Sequence, residues 1–243
     1  MEINGAVALV TGANRGIGRR FAEELLERGA AKVYAAVRDV TSVGTDDPRL
    51  VPVALDVTDP ARVAAVAADL RDVTLLVNNA GIGSAATPLT NPVEAARREI
   101  ETNYLGVVAL TQAFAPVLAA NGGGGVVTML SVASWLSTPL LSTYSASKAA
   151  IWSWTNSARI ELRQQKTQLV GVHVGFVDTD LTAGISAPKI ETSTVVDAAL
   201  DGLVAGEDEV LVDDISRQVK AALHDDQHLL YPEIEREFLA TRG

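Results

Sequence analysis

The segment Thr11-Gly-Ala-Asn-Arg-Gly-Ile-Gly18 constrains this chain more than any other, because it closes a short apolar run at 6–10 and opens an amphipathic one. Glycines lack β-carbons, so the backbone amides of such a strand-to-helix turn approach one another closely. The helix that follows adds partial positive charge at its N-terminus. A turn of this kind is a cradle for phosphate. The rest of the chain repeats the same grammar. Apolar runs at 6–10, 32–37, 51–55, 74–77, 125–130, 169–175 and 209–212 alternate with amphipathic stretches, the pattern of parallel strands joined by helices. Asp59-Pro60 and Asn91-Pro92 each place a capping side chain ahead of a proline, and Gly29 stops a helical run. The expected architecture is α/β: a doubly wound, seven-stranded parallel sheet flanked by helices, with the ligand crevice beyond the strand C-termini. Asn121-Gly-Gly-Gly-Gly125 precedes a strand instead of following one, so it reads as a flexible turn and not as a second cradle.

Tyr144 and Lys148 stand four residues apart in Ser142-Thr-Tyr-Ser-Ala-Ser-Lys148, with Ser131 thirteen residues upstream of the tyrosine. On a helix, residues i and i+4 share a face. The Lys148 ammonium is therefore expected to favour the ionised Tyr144 phenol and to lower a pKa that is normally near 10. A phenol tuned in this way exchanges a proton with an alcohol or alkoxide oxygen near neutral pH.

Taken with Asn78-Asn-Ala-Gly81 at the end of the fourth strand, these motifs give the chain a marked likeness. It resembles the short-chain dehydrogenase/reductase family, whose marks are Thr-Gly-x3-Gly-x-Gly, Asn-Asn-Ala-Gly, a strand-end Ser and Tyr-x3-Lys, over residues from about 6 to 179. The resemblance implies a Rossmann-like fold and an NADP(H)-dependent enzyme that interconverts a carbonyl and an alcohol. It makes Ser131 the hydrogen-bond donor to the substrate oxygen and Tyr144 the acid/base. Lys148 would bind the nicotinamide ribose as well as tune the phenol, and Asn103 would support a water that passes protons towards the lysine. A simple buried hydrogen bond is the alternative for Asn103.

Cofactor contacts follow the same likeness: Gly12, Asn14, Arg15, Gly16, Ile17 and Gly18 in the cradle, Asp56 and Val57 at the adenine end, and Asn79, Ala80 and Gly81 after the fourth strand. Asn78 and Asn79 equally admit a structural reading, as braces of the sheet. The second strand ends in Val37-Arg38-Asp39. Where NAD is bound, an acidic side chain about twenty residues past the cradle takes the ribose hydroxyls. Here Arg38 comes first and Arg15 lies within the turn, and two guanidinium groups suit a 2′-phosphate. NADP(H) is therefore favoured over NAD(H). The competing reading has Arg15 solvated and Asp39 selecting NAD.

One motif departs from the family. Where many relatives carry Pro-Gly-x3-Thr after the sixth strand, this chain has Val174-Gly-Phe-Val-Asp-Thr179. Gly175, Val177 and Thr179 still match positions that flank the nicotinamide, while the rigidity of the turn is left open. Residues 180–192 are expected to form a substrate lid and 226–243 a C-terminal tail, all within one domain spanning 1–243. Ile82, Trp135, Leu140, Leu141 and Phe176 lie near Ser131, Tyr144 and the lid in sequence, and the alternative is that each is plain core. Lining the pocket, they favour a small hydrophobic ketone, aldehyde or secondary alcohol as substrate.

His224 and His228 share a spacing that can chelate a metal, but the chemistry above needs none and no metal is expected. His173, inside an apolar strand, reads as a hydrogen-bonded core residue. A net charge of −10 argues against a nucleic-acid partner, and no charge-free apolar stretch reads as long enough to span a bilayer. The chain has no cysteine, and Met1-Glu-Ile-Asn4 leads almost directly into a strand, so the cytoplasm is the expected compartment. The helix carrying Tyr144 presents Ala146, Ala149, Ser153, Ser157 and Ile160 on its opposite face, with Trp152 and Trp154 on the flanks. Relatives dimerise through the corresponding helix and the one before it, at 92–120. A homodimer is expected, with a tetramer as runner-up and a monomer covered by its own tail as the third case. Two other functional classes stay open at this level. One is a cofactor-binding regulatory or sensor protein without turnover, and the other an epimerase or dehydratase of the same superfamily.

Overall fold

In the computed structural model, which describes residues 1–44 and 46–240, seven parallel strands form one sheet in the order β3-β2-β1-β4-β5-β6-β7. They are β1 (Val7–Thr11), β2 (Lys32–Val37), β3 (Leu50–Ala54), β4 (Leu75–Asn78), β5 (Gly124–Met129), β6 (Thr167–His173) and β7 (Glu209–Leu211). The strand order reverses between β1 and β4, and that switch point opens the crevice at the strand C-termini.

Helices cover both faces because the central strands are apolar on both sides. On one face α1 (Gly16–Glu27) and α6 (Thr192–Ala205) bury Phe21, Leu25, Val195, Leu200 and Leu203 against Val10, Val77 and Val172. On the other, α2 (Pro60–Asp69) and α4 (Gly106–Ala120) bury Val63, Leu110, Phe114 and Leu118 against Leu9, Leu76 and Val126, joined by Leu162 of α5 (Ser142–Gln164). Each such side chain contributes about 1.5–3 kcal/mol on leaving water.

Asp59 caps α2 as its sequence implies, accepting from the Ala61 and Arg62 amides. Asn91 does not cap α3 (Val93–Ile100): Pro92 is the N-cap, and the Asn91 amide is spent on the hydroxyls of Ser84 and Thr143. The expected single helix over 92–120 is three pieces in line, since a π-helical turn, Glu101–Leu105, separates α3 from α4. By length and composition Val93–Ala120 is apolar enough to cross a bilayer, contrary to the expectation. The burial of Leu110, Phe114 and Leu118 on the sheet accounts for that composition.

Two further expectations are corrected. The strand expected over 169–175 stops at His173, and Val174 and Gly175 leave the sheet. The expected flexible turn at Gly122 and Gly123 is a tight contact: a β-carbon on Gly123, whose φ is +108°, would lie 2.3 Å from the Lys166 carbonyl oxygen.

After β7 the chain forms α7 (Asp214–Ala222), a 3-10 turn at Leu223–Asp225, α8 (Asp226–Leu229) and α9 (Tyr231–Ala240). Residues 241–243 of the expected tail lie outside the described residues. The helix breaks at Asp225, so His224 and His228 do not share one helical face. Each bonds its own turn instead, His224 to the Ala221 carbonyl and His228 to the Asp225 carboxylate.

Candidate active site

The cradle between β1 and α1 is built by close packing. Gly12 and Gly16 adopt φ of +66° and +54°, and a β-carbon on Gly18 would lie 2.2 Å from the Gly12 carbonyl oxygen, closer than any side chain permits. Arg15 is the N-cap of α1 and makes no side-chain cap, which leaves the first-turn amides free for an anion. Asn14 and Ile17 complete the turn, with Ile17 partly buried against the core. This geometry fits a dinucleotide pyrophosphate.

Asn78 and Asn79 act as braces, in line with their structural reading. Asn78 Nδ2 donates to Thr111 Oγ1 at 3.0 Å, and Asn79 Nδ2 donates to the Thr11 carbonyl at 2.9 Å. The Asn79 and Ala80 amides both donate to Thr11 Oγ1 at 3.0 Å, tying the segment before Gly81 to the end of β1.

At the far end of the cradle, Asp39 caps its own 3-10 turn, accepting from the Thr41 amide at 3.0 Å and the Thr41 hydroxyl at 2.7 Å. Arg38 points to solvent beside Asp56. The Asp56 carboxyl is held below its usual range by bonds from the Thr58 amide and hydroxyl, helped by the Arg38 charge. Val57 packs against Gly106 of α4. Arg15 pairs with Asp180 at 2.8 Å, so it links the cradle to the start of the segment expected to be the lid.

Ser131, Tyr144, Lys148 and Asn103 converge at the crevice. Ser131 lies two residues past the end of β5 and caps the 3-10 turn Val132–Ser134, its Oγ accepting from the Ala133 amide at 3.1 Å. The Ser131 hydroxyl stands close enough to the Tyr144 phenol to pull the phenol pKa down, while its own hydrogen bond goes to the Val174 carbonyl at 3.4 Å. Lys148 is buried, and its Nζ donates to the Met129 carbonyl at 2.8 Å. Asn103 sits in the π turn, which swings its amide inward. Its Oδ1 accepts from the Ile82 amide at 2.9 Å, and its Nδ2 donates to the Ile82 carbonyl at 2.8 Å and to Ser147 Oγ at 2.9 Å. Asn103 thus makes the simple buried hydrogen bonds that were its alternative reading.

The electrostatics correct one expectation. Burial pushes the Tyr144 phenol up to about 12, the nearby Ser131 hydroxyl pulling it down and the Glu99 charge pushing it further up. Burial also brings Lys148 down to about 8. Burial outweighs the lysine for the neutral phenol: the Lys148 ammonium lies 5.8 Å from the ring centre and is directed to a strand-end carbonyl.

Two residues of the site went unread in the sequence. Glu99 is buried, and one carboxylate oxygen accepts from the Ser84 amide at 2.7 Å and the Ser84 hydroxyl at 2.8 Å. Its position four residues before Asn103, on the same helical side, was the available signal. Asp213 caps α7 and accepts from the Gly175 amide at 2.7 Å, so a side-chain clamp stiffens the turn that lacks the family proline.

On the substrate side, Ile82, Leu141 and Phe176 are partly exposed, and Leu140 points to solvent. Trp135, expected to line the pocket, does not aim there. Its ring stacks on His173 with centroids 3.7 Å apart, meets Trp152 edge-on and lies under the Lys220 ammonium. The segment expected to be the lid leaves and returns at one place, where Val177 and Ile190 pair, so Thr179 and residues 180–189 form a closed excursion.

A phosphate cradle at the switch point and a Ser-Tyr-Lys cluster facing the same crevice define a nicotinamide-dependent oxidoreductase acting on CH–OH groups. The chain belongs to the short chain dehydrogenase family, whose model matches residues 6–189. An uncharacterized oxidoreductase of Myxococcus xanthus is 33% identical over 223 residues, covering 86% of this chain and 88% of that protein. A short chain dehydrogenase from Burkholderia cenocepacia, solved in complex with NADP, is 40% identical with a TM-score of 0.92, covering 96% of this chain and 99% of that one. A short chain dehydrogenase/reductase from Burkholderia phymatum, solved in complex with NAD, is 25% identical with a TM-score of 0.84, covering 94% and 96%.

Proposed function

We propose that this enzyme reduces a small hydrophobic ketone or aldehyde with NADPH, and that Tyr144 is the proton donor. One observation carries the reading: Tyr144 and the buried Lys148, one turn apart on α5 with the ammonium 5.8 Å from the centre of the phenol ring, face the same crevice as Ser131. When bound, the cofactor supplies the hydride. Ser131 and Tyr144 then direct two hydroxyl protons at the substrate oxygen, where negative charge develops. Tyr144 gives up its proton to that oxygen, and Lys148, one turn further along α5, places a positive charge beside the phenolate that remains. Asn103 holds the Ile82 backbone and so sets one wall of the crevice. Gly175, Val177 and Thr179 border it from the lid side.

The preference for NADP(H) rests on Arg38. Asp39 has both hydrogen bonds of one carboxylate oxygen committed to Thr41, whereas the Arg38 guanidinium is open to solvent at the end of β2. A guanidinium there suits a 2′-phosphate. The relative from B. cenocepacia with NADP bound agrees with this preference, and the one from B. phymatum with NAD bound marks the alternative. Partly exposed Ile82, Leu141 and Phe176 support an apolar substrate.

The test is NADPH oxidation across a panel of ketones and aldehydes, with Tyr144→Phe beside the wild type. Loss of a general acid costs about 10²–10⁴-fold in turnover, with NADPH affinity nearly unchanged. Turnover by Tyr144→Phe comparable to the wild type would remove the tyrosine from the chemistry.

A further inference from the structure

Directly behind Ser131, on the side away from the crevice, lies a buried cluster that the reaction as described does not use. His173, the last residue of β6, is fully buried, and its Nδ1 lies 3.0 Å from the Ser131 carbonyl oxygen. A carbonyl only accepts, so this bond needs a proton on Nδ1. On its other side, Nε2 lies 3.3 Å from Oε1 of Glu209 without the alignment of a hydrogen bond. Glu209, on β7, is supplied by another donor: Lys220 of α7 reaches its two oxygens at 3.0 and 2.8 Å. The ring is fixed in its plane by Trp135, stacked at 3.7 Å, and Lys220 lies 4.5 Å from the centroid of the same indole.

We propose that His173, as the neutral Nδ1–H tautomer, is a positioning residue that clamps the Ser131 backbone and so aims the Ser131 hydroxyl at the substrate oxygen. The proposal rests on the reading of Ser131 as a hydrogen-bond donor. Three elements converge to hold the ring. Lys220 neutralises Glu209, so the carboxylate does not compete for the ring proton. Trp135 prevents the ring from turning, and β6 places Nδ1 against the end of β5. The charged groups facing His173 are Glu209 and Lys220, and burial lowers its pKa, in keeping with a neutral ring. The Ser131 carbonyl also accepts from the Ser134 amide at 2.9 Å, so it is held from two directions. Small errors in the aim of a catalytic donor are expensive, because its bond strengthens most at the transition state.

The test uses the full chain with NADPH and the panel carbonyl of highest turnover. An asparagine amide placed on the same β-carbon reproduces the Nδ1–H donor, and a glutamine amide reaches the Nε2 position instead. His173→Leu and His173→Gln are expected to lower kcat by about tenfold or more with NADPH affinity within about twofold, and His173→Asn to recover most of the loss. On a Ser131→Ala background, His173→Leu is expected to add less than about twofold, because both changes remove one interaction. Asparagine performing no better than glutamine, or a leucine penalty undiminished on the Ser131→Ala background, would overturn the clamp. Full turnover by Ser131→Ala alone would instead overturn the reading of Ser131. Should the leucine variant not fold, nitrogen-labelled histidine spectra of the wild type decide independently of turnover. The chain has three histidines, and the signals absent from His173→Asn identify the ring. A proton on Nδ1 supports the clamp, and the Nε2–H tautomer refutes it.

Discussion

The Lys148 ammonium lies 5.8 Å from the centroid of the Tyr144 ring while it donates to the carbonyl of Met129 at 2.8 Å. The two residues share a helical face, but the lysine spends its hydrogen bond on the end of β5. Both ionisations are governed by burial, and they move apart: the phenol to about 12 and the ammonium to about 8.

That separation sets the pH dependence of reduction. Below pH 8 the lysine is charged and the phenol carries its proton, which is the state the chemistry needs. As pH rises through about 8 Lys148 loses its charge, while Tyr144 keeps its proton to about 12. The value of kcat/KM for carbonyl reduction is therefore expected to be flat on the acid side of that point and to fall about tenfold per pH unit above it. In Lys148→Arg, whose side chain stays charged, the plateau should extend upwards, as pH profiles of both proteins will show. An unchanged fall in the arginine variant would assign it to another group.

Cofactor discrimination should reside in Arg38. Removing a charge-assisted contact to the 2′-phosphate costs about 1.5–3 kcal/mol, so Arg38→Ala is expected to weaken NADPH by about 10–100-fold and NADH by less than about twofold. Fluorescence titration of both nucleotides measures this. Equal losses, or a wild type that prefers NADH, would return the role to Asp39.

Assembly is expected through α5. Ala146, Ser153, Ser157 and Ile160 are exposed on the face opposite the site, Ile160 by 67%, and the described part of the tail leaves them open. Small residues allow a second copy of the helix to approach across a two-fold axis. Sedimentation should give a dimer for the wild type and a monomer for Ala149→Arg and Ser153→Glu. A monomeric wild type would refute the interface.

What could be read in the chain was what short-range geometry dictates. Glycine sterics, strand alternation and the i, i+4 spacing of Tyr144 and Lys148 act over a few residues, so the cradle, the parallel sheet and the pairing on α5 were legible in the chain itself. The limits appeared where one residue's partner comes from far away. Nothing local reveals that Asn103 lies in a π turn and bonds the backbone of Ile82, twenty-one positions earlier. Nor does the neighbourhood of Trp135 announce that its ring belongs to His173 and Lys220 instead of the pocket, or that Asp213 would stiffen the turn after β6 in place of a proline. Even the Tyr144–Lys148 pair was legible only as a spacing. Its ionisation depends on how much water the fold removes and where the ammonium finds an acceptor, and both are decided when β5, β6 and α5 close around them.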